Sequence, residues 1–125
     1  MKHNIGHRVG NTLNLTQLSS WAQVGRVESL LIPELHRAMV KAGSDPAEIL
    51  VQTWYRHDSH ADIGGLVFTT EAAPERLTKW LRAWCDKQYK NSSRCTDWNS
   101  YYCLLVEGMH DNEVWLRTSS YNIGD

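Results

Sequence analysis

No stretch of the sequence approaches the ~20 apolar residues that a membrane-spanning helix needs, so no such span is expected. The first ten residues, MKHNIGHRVG, also lack the apolar centre of a secretory signal, and a cytoplasmic protein is expected. Cysteine is scarce: Cys85, Cys95 and Cys103 form an odd set with nine and seven residues between them. That excludes the even disulfide framework of small secreted folds and agrees with a reducing compartment. It also lacks the close C-x₂₋₄-C pair from which structural zinc sites are built, even with His110 following, so no metal is expected there. Cys85 and Cys103 are expected as small buried hydrophobes and Cys95 as the free thiol. A large charge of either sign is missing too: the net charge is −1, which argues against nucleic acid or an anionic membrane as the main partner.

Two further absences concern chemistry. Gly64-Gly65 stands between strand-like residues instead of opening a helix, so there is no phosphate-cradling loop, and the pair is expected to mark a bulge or a close approach of backbones. Cys95 beside Arg94 meets only part of what an activated thiolate requires, and catalysis has no anchor residue. No cofactor is expected.

What is present suits one domain, 1–125, with residues 1–12 as a loose arm. At 125 residues and 42% hydrophobic content, the chain can bury enough apolar surface to fold unaided. Leu15, Leu18, Trp21 and Ala22 recur at helical spacing to about Val24, with Thr16 as the expected N-cap. Val27, Leu30, Leu31, Leu35, Ala38, Met39 and Ala42 form a second stripe that Gly43 should stop, with Pro33 imposing a kink or a helix start near residue 32. Ile49–His57 and Ile63–Thr70 are β-branched and aromatic and form a hairpin. Leu77, Trp80, Leu81, Trp84 and Cys85 mark a third helix from Pro74 to Lys90. Tyr101–Glu107 and Val114–Ile123 bracket a second hairpin. The expected fold is α+β, in the order α-α-β-β-α-β-β: a mostly antiparallel four-stranded sheet of two hairpins, helices on one face and the other face open.

Charge is laid out in blocks. Residues 1–43 hold five basic and two acidic groups and 74–94 six and two, whereas 44–73 and 95–125 each hold one basic and five acidic. The helical segments are basic and the hairpins acidic. A helix-turn-helix reading of Leu15–Ala38 is disfavoured, because the second helix carries Pro33 and few groups suited to base edges.

His57, Asp58, His60 and Asp62 gather potential ligands for a divalent metal, which would imply a metal-dependent hydrolase. The run departs from the H-x-H-x-D-H-x-G-G pattern of metallo-β-lactamase-type hydrolases at Asp58 and Ile63, and a polar turn is the simpler reading. Six Trp and five Tyr against one Phe are the unusual feature of the composition. Trp54, Tyr55, Tyr102 and Trp115 stand near Asp58, Asp62, Glu107, Asp111 and Glu113, and aromatic anchors within an acidic rim suit a protein partner with a basic surface. The expected function is a non-enzymatic binding protein of the small inhibitor, immunity or anti-defence type. A small-molecule sensor or carrier, with Trp54, Trp115 and Tyr102 around Glu107 holding an apolar or cationic ligand by stacking and cation–π attraction, is the alternative. An unpaired strand edge is compatible with a homodimer.

Overall fold

A computed structural model describes residues 5–18, 26–58, 61–71, 73–90 and 104–122. The chain is α+β, with a five-stranded, wholly antiparallel sheet. Its elements are β1 (His7–Asn14), α1 (Leu15–Leu18), α2 (Arg26–Lys41), β2 (Leu50–Asp58), β3 (Ala61–Thr69), α3 (Pro74–Lys90), β4 (Leu105–His110) and β5 (Glu113–Asn122), and the strand order is β1-β2-β3-β5-β4. The two expected hairpins are β2–β3 and β4–β5, and they meet through β3 and β5.

Four strands were expected and there are five, because part of the segment read as a loose arm is β1. Its side chains are largely exposed, so burial leaves no alternating pattern in the sequence. Backbone pairing with β2 holds it instead. Between Val9 and Leu13 it carries two more residues than β2 does opposite, and the Val9 and Gly10 carbonyls accept hydrogen bonds from Thr53 Oγ1 (2.7 Å) and Gln52 Nε2 (2.8 Å). Side chains of β2 thus replace ladder partners at the bulge.

The helices also differ in detail. Asn14, not Thr16, caps α1: Gln17 N–H donates to Asn14 Oδ1 and Asn14 N–H to Gln17 Oε1, both at 2.8 Å, a reciprocal box. Helix α2 starts at Arg26 and runs through Pro33. It ends as expected at Gly43, whose φ is +83°, with Ser44 N–H donating to the Met39 carbonyl at 2.9 Å. Residues 19–25, where α1 was expected to continue, lie outside the described residues.

The main core lies between the helices and one face of the sheet: Leu31, Ile32 and Leu35 of α2 and Leu77, Leu81 and Trp84 of α3 meet Val51, Leu66, Phe68, Val114 and Leu116. Cys85 is buried in it, and burial pushes its thiol up to about 12, as suits an inert hydrophobe. A second, smaller cluster of Trp54, Ile63, Val67 and Trp115, with Ile5 packed against it, covers the opposite face. That face is therefore not open as expected.

Candidate functional site

The second cluster settles where two of the expected interface rings reside. Trp54 is 2% exposed and Trp115 5%, and their rings meet edge to face, with centroids 5.6 Å apart and planes at 64°. Trp54 faces Gly65 across the β2–β3 ladder, and its Nε1–H reaches past that glycine to donate to the Leu116 carbonyl on β5 at 3.1 Å. Trp115 Nε1–H donates to Glu113 at 3.2 Å. Both indoles are buried with their polar handles satisfied, and exposure of these two rings, which the sequence suggested, is corrected.

Arginines occupy the places where a cationic ligand would have stacked. The guanidinium of Arg8 lies 5.4 Å from the Trp115 ring and that of Arg56 5.6 Å from Trp54. Arg56 also donates to the Ile5 carbonyl at 2.8 Å, clasping the chain where it crosses the sheet, and a Cβ on Gly6 would stand 2.5 Å from Trp54 Cε3. The outer carboxylates complete these clasps. Arg8 pairs with Glu113, Arg56 Nη2 donates to Glu107 Oε1 at 3.1 Å, and Arg117 Nε lies 2.9 Å from that same oxygen as an ion pair without hydrogen-bond alignment. Glu107 and Glu113 therefore neutralise the protein's own cations.

The remaining expected acids are not gathered in one rim. Asp62 sits near the β2–β3 turn, whereas Asp111 belongs to the β4–β5 turn beside Thr70, at the opposite end of the sheet. Nine-residue strands separate the two turns by about 26–30 Å. Asp111 is highly exposed and adopts a positive φ of 54°. The side chain of Asp58 and all of Tyr102, His60, Cys95 and Cys103 lie outside the described residues. Among the described residues no three His, Cys, Asp or Glu side chains cluster as a metal site.

One expected aromatic–acid pair does stand in solvent. Tyr55, 41% exposed, donates its hydroxyl to Asp62 Oδ1 at 2.9 Å, and His57 Nδ1 donates to the same oxygen at 2.8 Å. The His57 side chain is 61% exposed and that of Asp62 37%. The three lie at the end of the hairpin beyond the main core, since Val51, Leu66 and Phe68 of the same two strands pack under the helices. The bonds from His57 and Tyr55 hold the Asp62 carboxyl below its ordinary 3.8, and the bond to Asp62 raises the Tyr55 phenol above 10.0.

These shifts fix the sign of the pH response. The raised phenol contributes stability that is fully present below 10.0 and lost as the pH climbs through its higher folded value. The lowered carboxyl contributes stability present above 3.8 and lost as the pH falls through its lower folded value. In ¹³C-tyrosine NMR, the Tyr55 ring should titrate above 10.0 in the wild type and nearer 10.0 in Asp62→Asn. A midpoint that Asp62→Asn leaves unmoved would show that the carboxylate does not hold the phenol.

A second surface was not singled out from the sequence. Helices α2 and α3 flank a groove of about 350 Å³ whose walls include Ala38, Trp80, Ala83 and Trp84, with Arg37 and Lys87 at its edges. Its signal was the helical spacing of Trp80, Ala83, Trp84 and Lys87, which also marks a core-facing ridge and so concealed the groove.

Comparison with known proteins adds nothing to this geometry: no family model, no curated protein and no solved structure matches the chain at a significant level. Among the described residues no helix is long and apolar enough to cross a membrane.

Proposed function

We propose that the protein is a non-enzymatic binding protein, of the small inhibitor, immunity or anti-defence type, that engages a basic surface of a protein partner through Tyr55, His57 and Asp62. The observation that carries the reading is an exposed aromatic ring whose hydroxyl is already pinned to a carboxylate, Tyr55 on Asp62 at 2.9 Å. A ring fixed before binding loses little rotamer freedom on docking, and tyrosine combines contact area with a polar tip. The Asp62 carboxylate, which accepts the Tyr55 hydroxyl, places an acidic group directly beside the ring, which favours approach of a basic surface. Beneath the patch, the Trp54–Trp115 cluster and its arginine clasps hold β2 and β3 rigid.

The test is affinity capture on the tagged protein, wild type beside Tyr55→Ala and Asp62→Asn. A stoichiometric protein partner is expected with the wild type. Its affinity should fall about a hundredfold in Tyr55→Ala, as for an anchor residue, and its association should slow with added salt. Recovery of no stoichiometric macromolecule, or equal recovery by all three proteins, rejects the reading.

A further inference from the structure

The helical side of the molecule carries a surface of opposite character, independent of the hairpin patch. Arg76 Nη1, at the start of α3, donates to the Ala42 carbonyl just past the end of α2 at 3.4 Å, and Trp84 Nε1, two turns further along α3, donates to Glu34, two turns back along α2. The two helices therefore run antiparallel with a groove between them. Trp80 is half-buried and Trp84 is buried with its indole N–H satisfied, so the lower wall is apolar. Ala38 and Ala83 are small and leave room above it. One turn before Glu34 on the same stripe of α2 stands Leu30, a leucine 58% exposed.

The charge around this apolar strip has one prevailing sign. Arg37 and Lys87 are exposed on opposite walls, and neither has an ion-pair partner among the described residues. Lys41, one turn beyond Arg37, is exposed as well. Glu34 is the acid in the groove, and its carboxylate is engaged by the Trp84 indole. From Leu30 to Lys41 the strip extends about 17 Å, the rise of three helical turns.

We infer that this groove takes an acidic amphipathic helix of a protein partner, its leucine-like side chains set against Trp80, Ala83 and Leu30 and its carboxylates reaching Arg37, Lys41 and Lys87. Charge complementarity selects the occupant: the cations flank an apolar strip of helical length, the arrangement in which one helix lays its apolar face between two others. A nucleic-acid strand would need a longer run of cations than these walls provide.

The experiment uses the full chain and a labelled designed helix of about four turns, leucines at i, i+3, i+4 and i+7 on one face and glutamates elsewhere, followed by fluorescence anisotropy. The glutamate peptide should bind at least about tenfold more tightly than the same peptide with lysine for every glutamate, and more tightly than a scrambled one. The exposed double substitution Arg37→Glu with Lys87→Glu should weaken it about tenfold or more, Trp80→Ala should weaken it similarly, and Tyr55→Ala should leave it unchanged. Equal binding of the scrambled peptide, no binding of the glutamate peptide, full affinity in the double variant, or tighter binding of a polythymidine oligonucleotide would each overturn the inference. Loss in Tyr55→Ala would overturn it too, since the peptide would then be reading the hairpin patch.

Discussion

Replacing Gly65 by alanine should destabilise the protein by about 3–5 kcal/mol, the sum of an overpacked contact and a buried indole left unpaired. A Cβ at this position would stand 1.9 Å from the Leu116 carbonyl oxygen and 2.9 Å from its carbon, and both are backbone atoms of a central strand. No side-chain rotation relieves such a clash. The strand must move, and the same oxygen is the acceptor for Trp54 Nε1. The register between β3 and β5 shifts at Gly64/Gly65, so this glycine is where the outer face gives up a side chain to let the Trp54 ring cross β3. For a domain whose whole stability is of order 5–15 kcal/mol, thermal or urea unfolding should show a loss of much of the margin, with a melting temperature lower by roughly 10–20 °C. A change below about 1 kcal/mol would mean that the bulge accommodates a methyl group and that the indole bond is not held by this contact.

The glycine pair also shows what kind of information a single sequence carries. Its interruption of a β-branched run is a local sign of a bulge or close approach, and the structure has both. The third helix was equally legible, because Leu77, Leu81, Trp84 and Cys85 face one core and their spacing records that face. Strand β1 was not, since its residues are held by a ladder and by Thr53 and Gln52, and an exposed strand imposes no alternation on its own side chains. The outer cluster was hidden for another reason. Arg8 meets Glu113 and Arg56 meets Glu107 at separations of 105 and 51 residues, and nothing local distinguishes a carboxylate that will pair with such a distant guanidinium from one that will face water. The acidity of the hairpins is thus a matter of composition, while Glu107 and Glu113 pair with arginines and Asp62 and Asp111 stand at opposite ends of the sheet. Tyr55, His57 and Asp62, five to seven residues apart across one hairpin, are close enough in sequence for the turn to bring them together.

Trp54→Ala should cost about 3–5 kcal/mol, the range for emptying a buried indole site, and Trp115→Ala a similar amount. The two losses should not add. Their rings touch edge to face at 5.6 Å, so a double-mutant cycle should return a coupling of about 1 kcal/mol, the double variant losing less than the sum. The pattern of damage is more diagnostic than its size. Trp54 supports the Ile5–Gly6 segment and the Arg56 guanidinium that binds the Ile5 carbonyl, whereas β3 and β5 keep Leu66, Phe68, Val114 and Leu116 in the main core. Hydrogen exchange in Trp54→Ala should accordingly accelerate in β1 beyond the global change and less in β3 and β5. Trp54→Phe separates packing from the polar bond, because it keeps most of the ring and loses the donor to Leu116, and about 1–3 kcal/mol is expected for it. Uniform exchange across the sheet, or a cost for Trp54→Ala below about 1.5 kcal/mol, would show that the outer cluster is a passive cover and does not clasp the first strand. In that case the rigidity assigned to the Tyr55 end of β2 would need another source, since the ion pairs of Arg8 and Arg56 are a quarter to a third exposed on the arginine side and are individually weak.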